Sequence, residues 1–132
     1  GIQVRDPAET GKLIANLKKN KLPALDLTDN EMAKLHLRHL VGGRAPEVND
    51  EIMYRFEFPE RPGALMNFLN SMSHNWNISL FHYRNHGADY GRVLVGMQVP
   101  HHDKKAFQDF LSQLGYRYWD ESDNPACQLF LR

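Results

Sequence analysis

Cysteine and long apolar runs are scarce in this chain of 132 residues. Its one cysteine, Cys127, excludes an internal disulfide and any metal site built from several thiolates, a pattern typical of a reducing compartment. No apolar run approaches the roughly 18 residues that a membrane-spanning helix needs, and the N-terminus lacks the apolar core of a signal peptide. These absences predict a cytoplasmic protein without a membrane partner.

An excess of charge of either sign is also absent. Sixteen basic and sixteen acidic residues give a formal net charge of zero, which removes the long-range field that usually accompanies nucleic-acid binding. We therefore expect small molecules or protein surfaces as partners, and no nucleic acid. The chain begins at Gly1 rather than at Met, from which we expect it to be a piece of a longer protein.

The common motifs of catalysis and cofactor binding are missing. The sequence contains no Gly-x-Gly-x-x-Gly, no phosphate-binding loop and no Gly-x-Ser-x-Gly. Seven histidines are present, but none stands with carboxylates or thiolates at metal-ligand spacing. We therefore predict no catalytic residue and no metal site, and we expect Cys127 to be a small buried hydrophobe.

What the chain does contain is an internal repeat. The DLTDN of residues 26–30 returns as DESDN at residues 120–124, and the GIQV of residues 1–4 returns as GMQV at residues 96–99. Two matches separated by a single small insertion indicate a duplicated unit. The segment in front of the second match, residues 51–95, has no counterpart in the first copy. We therefore expect the first copy to lack its front half in this stretch of sequence.

The complete second copy alternates between strand and helix signals. In its first strand, apolar residues at even positions alternate with Met53, Arg55 and Glu57, which predicts burial mainly on one face. The predicted elements are a strand at 51–58, a helix at 64–72, strands at 78–84 and 90–99, a helix at 103–114 capped by Gly115, and a strand at 116–119. This βαββαβ order predicts an α+β, ferredoxin-like sandwich with two helices on one face of a four-stranded antiparallel sheet.

The repeat divides the chain into three predicted parts. Residues 1–41 are the C-terminal half of a first unit plus a connector, residues 42–50 are a linker, and residues 51–132 are the complete second unit with a C-terminal extension. The half-unit is predicted as a strand at 1–5, a helix at 7–20, a strand at 22–27 and a connector at 29–41 with strand-like alternation. Because the missing first strand would lie between the two strands of the half-unit, we expect exposed edges. These edges favour a homo-oligomer, or else part of this region is disordered.

The PERPGAL stretch of residues 59–65 is the most informative local motif. It joins a strand to a helix, and a helix N-terminus offers N–H groups and partial positive charge to an anion such as a carboxylate. Gly63 would permit close approach of a ligand. On the second strand, Tyr83 and Arg84 are candidates to bind a polar ligand. From spacing alone, an ordinary strand-to-helix turn and an ordinary sheet explain these residues at least as well.

Three longer segments carry a family resemblance. Residues 56–65, 76–84 and 90–94 together resemble the C-terminal regulatory region of biosynthetic threonine deaminase, also called threonine dehydratase or threonine ammonia-lyase. Residues 29–36 and 41–44 are similar to the connector between the two ACT-like units of that family. The resemblance covers essentially the whole chain. It implies an ACT-like form of the ferredoxin-like fold, preceded by a partial second copy.

The resemblance also implies a function. In that family a pyridoxal-phosphate catalytic domain deaminates threonine to 2-oxobutanoate and ammonia, isoleucine inhibits through the regulatory region, and valine opposes it as an activator. This stretch is then an effector-sensing fragment with no activity and no cofactor of its own, and the catalytic domain is its partner. The effector-binding residues expected from the resemblance and from the turn are Glu60, Gly63, Ala64, Leu65, Phe81 and Tyr83.

Three other interpretations stay open. An ACT-like regulator of a different amino-acid enzyme would share almost all of these features. An RNA-binding ferredoxin-like module is disfavoured by the zero net charge and by the GRVLV of residues 91–95, which stands where a basic-Gly-aromatic signature is needed. An acylphosphatase-type enzyme would need an Arg-bearing phosphate loop after the first strand, where Glu60 would repel phosphate.

Overall fold

The structure, a computed structural model, describes residues 4–37, 47–72, 76–85, 87 and 89–131. Its helices are α1 (Pro7–Lys19), α2 (Glu31–Leu35), α3 (Ala64–Ser71), α4 (Lys104–Leu114) and α5 (Pro125–Phe130), with a short 3-10 turn at His101–Asp103. Its strands are β1 (Glu51–Pro59), β2 (Asn77–Arg84), β3 (Tyr90–Gln98) and β4 (Arg117–Asp120). Within these residues no helix has the length and apolar character needed to cross a membrane. They also contain no group of three or more His, Cys, Asp or Glu side chains arranged to hold a metal ion.

The four strands form one antiparallel sheet in the order β2-β3-β1-β4. Tyr54 of β1 lies opposite Val95 of β3 and Asp120 of β4, so β1 is paired on both sides. Gly115 ends α4 in the left-handed conformation (φ 67°), as predicted for a C-cap. Together with α3 and α4, the sheet has the predicted βαββαβ order, and the α+β ferredoxin-like fold is confirmed.

The main core lies between the sheet and helices α3 and α4. Alternate residues of β1 and β3 face these helices, because successive strand residues point to opposite faces. Phe56 of β1 is fully buried, and its ring meets that of Phe68 of α3 edge-to-face at 5.3 Å. The buried members of this core are Tyr54, Phe56, Phe58, Phe68, Met72, Trp76, Val93, Val95, Met97, Val99, Phe107, Phe110, Leu111 and Leu114.

The opposite face of the sheet is covered as well, by α2 and α5. Met53 of β1 and Leu94 of β3 are fully buried there. The other buried members of this second cluster are Met32, Ala33, Ala126, Cys127 and Leu131. The prediction that β1 is buried mainly on one face was therefore wrong, because the alternation of the strand carries no information about the connector helix that covers Met53. Cys127 is buried, as predicted.

The two copies of the repeated turn have the same local structure. Asn30 and Asn124 cap α2 and α5, their side-chain oxygens accepting the backbone N–H groups of Ala33 and Ala126 at 3.0 Å in both cases. The two amides also bond to each other, from Asn30 Nδ2 to Asn124 Oδ1 at 2.7 Å and from Asn124 Nδ2 to Asn30 Oδ1 at 3.2 Å. The two repeated turns therefore contact each other directly through this reciprocal pair of amides.

The half-unit contains the predicted helix but not the predicted second strand. α1 begins after Asp6, whose side chain accepts the N–H of Glu9 at 2.9 Å. Residues 22–27 are not a strand, because a strand needs a neighbour to complete its hydrogen bonds and no segment among the described residues pairs with them. Pro23 also removes one donor from this segment.

The connector predicted as strand-like contains helix α2 instead. Asn30 supplies the N-cap, and Lys34 Nζ lies 2.7 Å from Glu31 Oε1 one turn earlier. These local helix signals outweigh the short alternation at Leu35 and Leu37. Residues 1–3 and 38–46 lie outside the described residues, including parts of the predicted first strand, the connector and the linker. The domain boundaries and the homo-oligomer stay predictions.

Candidate functional site

A cavity of about 340 Å³ opens at the edge of the sheet where β1 runs into α3. Its size is at the lower end of the range for small-molecule sites. Three elements supply its walls: the end of β1 with the following turn, the first turn of α3, and the middle of β2. The lining residues are Phe58, Pro59, Glu60, Arg61, Ala64, Leu65, Phe81 and Tyr83.

The turn between β1 and α3 leaves the start of the helix without a side-chain cap. After Pro59 ends β1, Glu60 donates its backbone N–H to Asp89 O at 2.9 Å and so stays close to β3. Gly63 occupies the left-handed region (φ 86°), which favours glycine, and α3 begins immediately after it. Pro62 precedes this cap and lies outside the helix, because the left-handed residue cannot be part of it. The uncapped N–H groups give this side of the cavity a partial positive charge.

The walls of the cavity are mainly apolar. Phe58 is buried at the base, and its ring centroid lies 6.4 Å from that of Phe81. Leu65 and Phe81 remain 45% and 39% exposed. Large apolar side chains left this open beside a concave surface are typical of a ligand-binding site rather than of a core.

Glu60 and Tyr83 form the polar rim. The Tyr83 hydroxyl donates a hydrogen bond to Glu60 Oε1. This bond to the carboxylate favours the protonated phenol and raises the pKa of Tyr83 above its ordinary value, with burial as a smaller cause. The pair joins β2 to the turn after β1, although β3 lies between the two strands. One carboxylate is thereby held at a fixed place above an apolar slot.

The arrangement suits a small ligand that is both charged and apolar. The start of α3 and the guanidinium of Arg61 attract an anion, the carboxylate of Glu60 attracts a cation, and the wall accepts an aliphatic or aromatic group. Among the lining residues there is no serine, cysteine or histidine that would serve as a nucleophile or as a general base of the usual kind.

Comparison with known families shows which family the chain belongs to. The sequence profile described as the C-terminal regulatory domain of threonine dehydratase matches residues 42–131, about two thirds of the chain. The chain belongs to this family. The resemblance drawn from residues 56–65, 76–84 and 90–94 is thereby confirmed.

Individual relatives extend the match to nearly the whole chain. The biosynthetic L-threonine dehydratase IlvA of Burkholderia multivorans is 55% identical over 99% of this chain and 26% of its own length. The mitochondrial threonine dehydratase of Saccharomyces cerevisiae is 52% identical over 94% of this chain and 21% of its own length. The IlvA of Escherichia coli is 49% identical over 93% of this chain and 24% of its own length. The chain thus spans about a quarter of the length of the threonine dehydratases that it matches, and it corresponds to their regulatory part.

The structure brings together most of the residues predicted for this threonine dehydratase regulatory domain. Glu60, Ala64, Leu65, Phe81 and Tyr83 line the cavity, whereas Gly63 lies at the cap of α3 and is not a lining residue. Their role as effector ligands stays a prediction. Arg84 is also absent from the lining, since it follows Tyr83 on β2 and points to the other face.

Sequence reasoning missed three lining residues, Phe58, Pro59 and Arg61. All three stand in the segment that carried the resemblance, so a signal existed. Phe58 faces Phe81 only because β1 and β2 both pair with β3, one on each side of it. Arg61 lines the cavity because of the turn between Pro59 and Gly63, and this geometry has no periodic signature.

Proposed function

We propose that this cavity binds a free branched-chain amino acid and that the domain thereby regulates threonine dehydratase, with isoleucine as inhibitor and valine as opposing activator. The observation that carries the proposal is the meeting, in one cavity, of an uncapped helix start, a fixed carboxylate and an apolar slot. An aliphatic α-amino acid has the complementary groups, namely a carboxylate, an ammonium and a hydrocarbon side chain.

The α-carboxylate is assigned to the start of α3. Ala64 donates its backbone N–H to Arg61 O at 3.3 Å, but no side chain caps the first turn, so its remaining N–H groups are donors for a ligand, and Arg61 adds a positive charge beside the cavity. A carboxylate bound here would accept hydrogen bonds from these N–H groups and so act as the cap that α3 lacks. This end of the ligand is common to all amino acids and confers no selectivity among them.

The α-ammonium is assigned to Glu60. Because the Tyr83 hydroxyl bonds to one oxygen of this carboxylate, the side chain is held over the cavity and does not need to be ordered when the ligand arrives. The second oxygen, Oε2, remains available to an ammonium donor. A charge-assisted hydrogen bond of this kind is worth more than a neutral one.

The side chain of the ligand is assigned to the apolar slot of Leu65, Phe81 and Phe58. Isoleucine carries one methylene more than valine, and burying a methylene is worth about 0.8 kcal/mol, roughly a fourfold difference in affinity. The intrinsic preference between the two effectors is therefore modest. Opposite effects on the enzyme require that the two ligands favour different arrangements of the regulatory domain relative to its partner, the catalytic domain.

The cofactor of the catalytic domain does not belong in this cavity. Among its described lining residues there is no lysine to hold pyridoxal phosphate, and the carboxylate of Glu60 would repel the phosphate group. No step of effector binding involves that cofactor.

Calorimetric titration of this chain with isoleucine and valine tests the proposal. We expect heat with isoleucine, weaker binding of valine, and about a tenfold or larger loss of isoleucine affinity in Leu65→Phe, since the larger ring fills the slot. Met66→Phe is the matched control, because Met66 is the next residue of α3, is 58% exposed and does not line the cavity. Absence of binding by both amino acids, or equal losses in the two variants, would overturn the proposal.

A further inference from the structure

Two glycines of β3 lie beneath side-chain pairs that reach over the strand. Gly91 lies below the bond between Tyr83 and Glu60, and Gly96 lies below the bond between Ser79 and Glu51. Since five residues separate the glycines, they present opposite faces of the sheet. In each case one partner comes from β2 and the other from β1 or the turn after it.

These pairs span an unusual distance for a sheet. β3 lies between β2 and β1, so β2 and β1 are about 10 Å apart, twice the usual strand spacing. Side chains that meet across such a gap must pass directly over the middle strand. A glycine inside a strand often marks a position where another group approaches the backbone closely.

Space, not backbone conformation, explains Gly91. A Cβ atom there would lie 2.6 Å from Glu60 Oε1, closer than real Cβ contacts, and 3.0 Å from Tyr83 Cζ, at the tight end of their range. Its φ is not in the left-handed range, so the backbone itself would accept other residues. What the position excludes is a side chain.

We infer that Gly91 is a positioning residue of the effector site: its bare backbone lets Tyr83 cross β3 and hold Glu60 over the cavity. This inference rests on the proposed function. It adds a residue that is not a ligand and does not line the cavity, yet controls the polar rim. A side chain at position 91 would push Tyr83 and Glu60 apart and leave the carboxylate unplaced.

Gly96 offers a matched control on the same strand. A Cβ atom there would lie 2.6 Å from Ser79 Oγ, 2.9 Å from Glu51 Oε1 and 3.1 Å from Leu80 Cβ. The last of these atoms is attached directly to the backbone of β2 and cannot move without it. At Gly91 the obstructing atoms are the far ends of two long side chains, and Tyr83 is 46% exposed, so they can swing into solvent.

The two alanine variants should therefore have opposite effects. We expect Gly91→Ala to lose about tenfold or more in isoleucine affinity, as for loss of a charge-assisted contact, while its melting temperature stays close to that of the original chain. We expect Gly96→Ala to lower the melting temperature more and to keep the isoleucine affinity. Calorimetric titration and thermal unfolding of the 132-residue chain and both variants measure these quantities.

A readout that does not involve the ligand separates positioning from general damage. In the original chain the bond to Glu60 raises the pKa of Tyr83, which NMR of the tyrosine ring carbons can follow. Gly91→Ala should return the pKa of Tyr83 toward the ordinary value of about 10, and Gly96→Ala should leave it raised. An unchanged Tyr83 titration in Gly91→Ala would overturn the inference.

The binding outcomes distinguish this inference from the proposed function. If the original chain fails to bind isoleucine, the proposed function fails. If the original chain binds and Gly91→Ala binds equally well, only the role of Gly91 fails. Unfolding of Gly91→Ala, or an equal loss of binding in Gly96→Ala, would also overturn that role, because either result would make the glycine a requirement of the sheet rather than of the site.

Discussion

Residues 23–26 and 117–120 occupy equivalent places in the two copies of the repeat, but only the second is a strand. β4 is paired with β1, and Trp119 lies opposite Arg55, whose guanidinium covers the indole ring at 4.2 Å. Its counterpart Leu25 is 47% exposed. The turns that follow are nevertheless alike: Asp26 and Asp120 each accept a backbone N–H two residues later at 2.9 Å. Local hydrogen bonds form in both copies, whereas a strand forms only where a partner strand is present.

The largest expected effect comes from truncating one apolar side chain in each copy and comparing the losses of stability. Phe56→Ala removes a fully buried ring of β1 and should lower the free energy of unfolding by about 3–5 kcal/mol. Leu17→Ala removes a half-buried residue of α1, a helix with no fully buried side chain, and should cost less than about 1 kcal/mol. Urea denaturation measures both. Similar losses in the two variants would contradict the view that only the complete unit has a full core.

A second prediction exchanges a residue in which the copies differ. Glu121 is buried and its Oε1 accepts from Arg55 Nε at 2.8 Å, while its counterpart Leu27 packs against the second apolar cluster. Glu121→Leu should lower the free energy of unfolding by about 3 kcal/mol, because it leaves a buried guanidinium without its carboxylate. Adding Arg55→Met should recover most of that loss, as measured by urea denaturation. A neutral single variant would show that Trp119 alone accommodates Arg55.

The smallest effect concerns the element that the copies share. Asn30→Ala and Asn124→Ala each remove one helix cap and should each lower the free energy of unfolding by about 1 kcal/mol. Because the two amides also bond to each other, the double variant should lose less than the sum of the two, by about 0.5 kcal/mol or more. A double-mutant cycle from urea denaturation measures this difference. Strict additivity would show that the bonds between the two asparagine amides contribute nothing to stability.

Much of the complete unit follows from periodicity and capping. The apolar alternation of residues 52–58, the helical stripe ending at Leu114 and the cap at Gly115 are local signals, and each corresponds to an element of the structure. The part of the candidate site that lies in one short stretch of sequence, namely Glu60, Ala64 and Leu65, could be predicted. Phe58 could not be assigned to the cavity, because its neighbours depend on how β1 and β2 pack on either side of β3, and Arg61 could not, because its position depends on the geometry of the turn after β1.

Two of the errors have one physical origin. Residues 22–27 resemble β4, but a strand requires a hydrogen-bonding neighbour that a single segment cannot supply. Met53 reads as a position on the solvent side of β1, but α2 of the connector covers it. Both features depend on which distant segments meet. A pattern confined to a few residues contains no information about that.

The sequence by itself determined the repeat, the βαββαβ order and the family, because these depend on contacts within a few residues or on likeness between sequences. The tertiary structure alone decided that both faces of the sheet are buried, that the first copy has no second strand, and that Tyr83 meets Glu60 over Gly91. These features join residues that are far apart in the chain, so their energies exist only once the strands are paired. The cavity belongs to this second class.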